Sequence, residues 1–277
     1  MLRDLIVDAG SHMELFKALL FGAGAMMALF TATWLISRGL NNWSFVDIAW
    51  SYGLVLLLPL YLATVRGYAP RRMLVLGMGL AWSLRLGTHL LLRIAKHHPD
   101  EDVRYESLRK KWAGPGMAMK FFLFFQAQAL LILLLSVPML LAMRHGAPSI
   151  SVLEWIAFGV WLVGFVGEGV ADWQMKRFKT DPANKGRVCN VGLWRYSRHP
   201  NYFFESVIWI GFWLFACAAP WGWVTVYTPL LITYFLLRVT GIPLTEKCSI
   251  ESKGEAYREY QRTTSAFIPW FPNKQTS

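Results

Sequence analysis

The sequence predicts an all-α, polytopic integral membrane protein with seven transmembrane helices, and three observations carry that expectation. Hydrophobic residues make up 55% of the 277-residue chain and charged residues only 16%, a balance too oily for a soluble domain of this length. The apolar residues gather into runs of roughly 20, the length that crosses about 30 Å of hydrocarbon. Lysine and arginine then fall unequally between the loops that those runs define, as the positive-inside bias requires.

The runs are 15–37, 43–65, 73–92, 121–143, 150–171, 203–219 and 221–237. Ahead of the first, Gly10-Ser11-His12-Met13 reads as an expression-tag remnant ending at residue 12, with Met13 as the natural start. No charged leader with a small-residue cleavage site precedes this run, so it is expected to stay as a membrane helix. The second run carries Asp47, the third Arg85 and His89, and the fourth is broken by strongly polar groups only at Gln126 and Gln128. Glu154 and Glu168 lie in the fifth and Glu205 in the sixth. Pro220 and its neighbours separate the last two runs, which read as a tight helical hairpin or as one long broken helix. Residues 13–277 are taken as a single domain, with no internal repeat or low-complexity tract.

Seven crossings place 21 of the 28 lysines and arginines on one side and six on the other, with Arg85 inside the third run. The C-terminus is therefore expected in the cytoplasm, across the inner membrane of a bacterium, and the chain is expected to act as a monomer. The formal net charge of +11 comes from basic residues next to the spans, which favours anionic lipid or a phosphorylated ligand over nucleic acid. Cys189, Cys217 and Cys248 are widely spaced and have no metal-ligand pattern, so no metal is expected.

An ionisable residue inside a span is costly and marks a functional candidate. Arg85 and His89 are four apart and share a helix face, against which Asp47 can pair, functionally or as a structural ion pair. Asp172, Lys176 and Lys179 form one stripe on a helix leaving the membrane, suited to phosphates or marking no more than the membrane boundary. In LWRYSRHPNYFFE, residues 193–205, Pro200 ends a loop and starts a helix, leaving Arg198 and His199 at its mouth. Free backbone N–H groups beside these cations make a seat for an anion. One turn deeper, Asn201 and Glu205 point the same way and need polar partners, which a ligand head group supplies. No G-x-G-x-x-G follows a strand, so a dinucleotide would bind without a Rossmann domain.

At these residues the chain resembles the bacterial branch of the membrane steroid 5α-reductase family. LWRYSRHPNYFFE at 193–205 and GIPLTEK with EAYREYQRTTSAFIPWFP within 241–272 carry the likeness, which is weaker around SFVDIAWS at 44–51 and around 93–112. The resemblance implies a seven-helix enzyme that takes NADPH from the cytosol and a lipophilic 3-oxo-Δ4 steroid from the bilayer. By position it places Asn201 near the nicotinamide amide, matches the family acid to Glu205, its upstream aspartate to Asp172 and the polar residue one turn earlier to Glu168, and puts Arg187 on the adenosine side and Arg238 on phosphate. Phe204 stands where the family has glycine, and Glu246 or Tyr260 replaces its later histidine. Arg85, Arg93, Lys176, Lys179, Tyr196, Arg198, His199 and Tyr202 complete the expected cofactor-binding set, while Asp47, Tyr52 and Glu205 form the catalytic one.

The chemistry implied is hydride delivery to the β carbon of an enone and a proton to the α carbon. Asp47, protonated in apolar surroundings, is expected to donate a hydrogen bond to the ketone oxygen, assisted by Tyr52. The alternative is a membrane methyltransferase using S-adenosylmethionine, of the isoprenylcysteine or phospholipid type, which shares the segment Arg198 to Tyr202 and Glu246. The cations Lys176, Lys179 and Arg187 weigh against it, because S-adenosylmethionine has no phosphates.

Overall fold

A computed structural model describes residues 2–273, with side chains from residue 12 onward. The tag assignment at 1–12 lies almost wholly outside the described side chains. Among the described residues every regular element is helical: α1 Leu2–Gly39, α2 Phe45–Thr64, α3 Ala69–His97, α4 Val103–Trp112, α5 Met117–Leu135, α6 Val137–Arg144, α7 Val152–Thr180, α8 Pro200–Ala216, α9 Tyr227–Tyr234, α10 Ile242–Lys253 and α11 Glu255–Thr263. They divide into two compact units, Met1–Ser151 with Ala216–Thr225, and Val152–Phe215 with Val226–Ser277.

Among the described residues, six helical segments are long and apolar enough to cross a membrane: His12–Gly39, Phe45–Thr64, Ala69–His97, Met117–Arg144, Val152–Thr180 and Gly222–Lys253. The expected sixth run does not reach that length as a helix, because α8 has 17 residues, about 25 Å, and ends at Ala216. The turn that follows is forced by close packing: a Cβ on Gly222 would strike the Ala216 carbonyl, and Trp221 adopts a positive φ of 62°. The fourth run is one crossing in two pieces, α5 and α6, divided at Ser136 ahead of Pro138.

In the first unit α2 packs against α1 and α3. Leu54, Leu57, Leu58 and Tyr61 recur at helical spacing and are fully buried. Tyr61 Oη meets Ser136 Oγ at 2.7 Å, so the break between α5 and α6 has a polar partner inside the core. Arg71, one of the six basic residues that the sequence assigns to the side opposite the C-terminus, is fully buried. Its guanidinium donates to the carbonyls of His145 at 2.9 Å, Ala147 at 2.8 Å and Ser149, tying down the segment after α6.

In the second unit α7 and α8 meet across small residues, which bring helix backbones close. Gly164 faces the backbone of Phe204 and Ile208, Gly211 faces Trp161, and Gly167 receives the ring of Phe204. Phe204, where the resembled family has glycine, therefore fills a notch on α7.

Candidate functional site

Pro200 starts α8 as expected. The loop before it is anchored to α7, since Trp194 Nε1 donates to the Ala171 carbonyl at 2.9 Å and the Leu193 N–H to Gln174 Oε1 at 2.9 Å. This brings the α8 stripe of Asn201 and Glu205 to the α7 stripe of Glu168 and Asp172. Asn201 Nδ2 reaches Asp172 Oδ1 at 3.5 Å, a long contact, while the buried Asn201 Oδ1 accepts no hydrogen bond within the protein. Glu168 and Glu205 are buried, and Glu205 Oε1 accepts from Trp209 Nε1 at 2.7 Å. Lys176, Lys179, Arg187 and Arg238 are all exposed cations, Arg238 on a π-helical turn over Phe235–Val239.

Arg198 and His199 are not an open anion seat, and here the structure corrects the sequence reading. Glu246 on α10 accepts from Arg198 Nε at 2.7 Å, His199 Nε2 at 3.2 Å and Gln261 Nε2 at 2.8 Å. Arg198 Nη1 also donates to the carbonyls of Gln261 and Thr264. Burial holds the His199 imidazole below its ordinary value against the pull of Glu246, so the ring is neutral and carries its proton on Nε2. Tyr202 stacks on that ring with centroids 5.3 Å apart, and its hydroxyl lies 3.2 Å from Thr245 Oγ1. Tyr260, a proposed stand-in for the family histidine, donates to the carbonyls of Trp194 and Ser197. Burial raises its phenol well above the usual range, so it stays a donor that braces the loop.

Residues 264–273 form a strap over this loop. The Arg198 N–H donates to the Ser265 carbonyl at 2.8 Å, Ser197 Oγ to Phe267 at 2.8 Å and the Trp270 N–H to Tyr196 at 2.8 Å. A cavity of about 480 Å³ lies among Asn190, Arg195, Glu259, Tyr260, Thr263 and Pro272.

The first unit has its own polar cluster. Asp47 does not pair with Arg85: Arg104 Nη2 donates to Asp47 Oδ2 at 2.7 Å and Tyr105 Oη to Asp47 Oδ1 at 2.5 Å. Both Asp47 oxygens thus accept hydrogen bonds from the protein itself, where the sequence reading had Asp47 donating to a ketone. Burial, reinforced by Asp47, raises the Tyr105 phenol far above its usual value. Burial opposes the charge on Arg104, but Asp47 and Asp102 outweigh it and hold its pKa above the ordinary one. Arg93 Nη2 donates to Asp102 Oδ2 at 3.2 Å, and Tyr52, half-buried with its ring against Gly87 of α3, meets Thr88 Oγ1 at 2.9 Å. Arg85 and His89 are partly buried on α3.

A family model described as "Protein of unknown function (DUF1295)" matches residues 33–264. The chain belongs to the DUF1295 family. This DUF1295 chain is also 31% identical over 264 residues to an uncharacterized protein of Schizosaccharomyces pombe, covering 85% of the chain and 75% of that relative. No solved structure matches it.

Within the DUF1295 match, sequence reasoning missed Arg104, Tyr105 and Asp102 as partners of the second helix. The signal was present as three neighbouring polar residues in the weaker region of likeness, but nothing in their spacing links them to Asp47.

Proposed function

We propose that the chain is an NADPH-dependent membrane reductase of the steroid 5α-reductase kind, reducing the Δ4 double bond of a 3-oxo steroid or a similarly lipophilic enone. In this reading it lies in a bacterial inner membrane with its C-terminus cytoplasmic, and α8 completes a seventh crossing. The observation that carries the proposal is the Asn201 amide, whose buried Oδ1 lacks a donor while its nitrogen leans on Asp172. A buried amide oxygen without a partner costs about 1–3 kcal/mol, and a carboxamide N–H of a bound nicotinamide would satisfy it.

The residues present fit the cofactor. Asp172, Glu168 and Glu205 are acceptors suited to amide and ribose donors, and the exposed Lys176, Lys179, Arg187 and Arg238 suit phosphates. When bound, NADPH supplies the hydride. Trp209 fixes the Glu205 carboxylate, and the Glu246 network holds Arg198 and the mouth of α8 in one geometry.

A methyltransferase using S-adenosylmethionine is the second reading, favoured by the convergence of Arg198, His199 and Glu246, the residues such enzymes share with this chain. Thermal stabilisation of the purified protein by NADPH, NADH and S-adenosylmethionine separates the two, because a ligand at about 100 times its Kd stabilises by roughly 2.7 kcal/mol. NADPH is expected to stabilise most. Asn201→Ala should weaken NADPH and NADH alike, whereas Arg187→Ala or Arg238→Ala should weaken NADPH far more. Stabilisation by S-adenosylmethionine alone would reject the reductase.

A further inference from the structure

The C-terminal strap is held in place by backbone hydrogen bonds yet turns three of its largest apolar side chains outward. Ile268, Trp270 and Phe271 are 61%, 69% and 75% exposed, while the neighbouring Phe267 packs inward on Phe203 of α8 with centroids 5.7 Å apart. The Trp270 N–H is bonded to Tyr196, and the Phe271 ring meets the Tyr196 ring edge-on at 5.9 Å. This exposure therefore belongs to a fixed segment, and in water it would be costly for residues of this type.

The depth of the strap can be read from α7. At 1.5 Å per residue, the rise from Val152 to Ala171 is about 28 Å, the thickness of a bilayer's hydrocarbon core. Just beyond Ala171 stands Trp173, 56% exposed with the Arg177 guanidinium 5.5 Å over its ring, and then the exposed cations Lys176 and Lys179. An aromatic followed by cations marks the boundary between hydrocarbon and headgroups. The loop before α8 is bonded to α7 at this level, through Ala171 and Gln174, and the strap is bonded to that loop. Two short steps of hydrogen bonding thus tie Trp270 to the level of α7 at Ala171 and Gln174.

We propose that the strap, residues 265–272, is an interfacial anchor whose Ile268, Trp270 and Phe271 insert among the lipid headgroups on the membrane face where α7 emerges. Its occupant is the bilayer that holds the helices, and the inference stands independently of which reaction the chain performs. Arg258 and Arg262 of α11, just ahead of the strap, are paired with Glu255 and Glu259, so the anchoring is apolar rather than electrostatic.

The test places a nitroxide at Trp270→Cys, in a background with Cys189, Cys217 and Cys248 changed to Ser, in phosphatidylcholine–phosphatidylglycerol vesicles. A second label at Ser252→Cys, on an exposed turn of α10, is the aqueous reference. The label at 270 is expected to be reached by oxygen several-fold better than by a water-soluble nickel chelate, with the reverse order at 252. Equal nickel access at both positions overturns the proposal, as does shielding of 270 from both reagents, which would mean that protein covers it. Should the cysteine-free background not fold, a lipid-borne diazirine probe on the unaltered chain gives the same answer. Labelling of the peptide spanning 265–273 supports the anchor, and its absence there with α8 labelled refutes it.

Discussion

Replacing Glu246 by alanine separates two roles for Arg198, a receiver of ligand phosphate and a clamp on the protein's own tail. The pair is largely buried, with side-chain exposures of 10% for Arg198 and 15% for Glu246. Breaking a buried pair by removing one partner costs about 3–5 kcal/mol, because the remaining charge is left without its counter-ion. The carbonyls of Gln261 and Thr264 still accept from Arg198 Nη1, which argues for the lower end, about 3 kcal/mol. For a chain of this size that is a fall in Tm of roughly 6–10 °C. The measurement is a thermal melt in detergent or nanodiscs, with and without NADPH. The double variant Arg198→Met with Glu246→Leu should regain much of the loss, since it removes both charges. A Tm within about 1 °C of the parent, or tighter NADPH binding by the alanine variant, would refute the clamp and restore Arg198 as an anion seat.

Two further outcomes follow from packing and charge. Gly167→Ala would push a methyl group into the Phe204 ring and should cost about 1–3 kcal/mol, with most of it recovered by Phe204→Ala; a neutral Gly167→Ala would mean that α7 and α8 are not in contact there. The His199 imidazole is held below its ordinary value by burial, so below pH ~6.5 the unfolded chain binds the proton more readily. This contribution to stability is complete above that pH and is lost as pH falls through the folded value. Melts between pH 7.5 and 5 should show the fall, and His199→Gln should flatten it; an unchanged slope would reject the assignment.

The spans were legible because a run of apolar residues is a local property, as was the start of α8 at Pro200, where a ring fixes φ. The end of α8 was not. It depends on Gly222 backing onto the Ala216 carbonyl, a contact that hydropathy does not encode, and the apolar run simply continues past it. Partners far apart in the chain were hidden for the same reason. Asp47 looked placed for Arg85 on the adjacent helix, yet it is Arg104 and Tyr105, on a short helix with no apolar signature, that close on it. Arg71 counts in the sequence only as one of the six basic residues away from the C-terminal side, and nothing there shows the three carbonyls that hold it. The Asn201 and Glu205 stripe was legible because its spacing alone sets its face, and the fold brings Asn201 to Asp172 as that spacing allowed.

The wiring of Arg198 also imposes an order on biosynthesis. Its carbonyl partners, Gln261 and Thr264, emerge from the ribosome more than sixty residues later, after the whole of α8, α9 and α10. The entrance to α8 must therefore wait in an unfinished form while the last helices enter the lipid, and a nascent chain cut short before residue 264 would carry every apolar span and still lack a finished mouth.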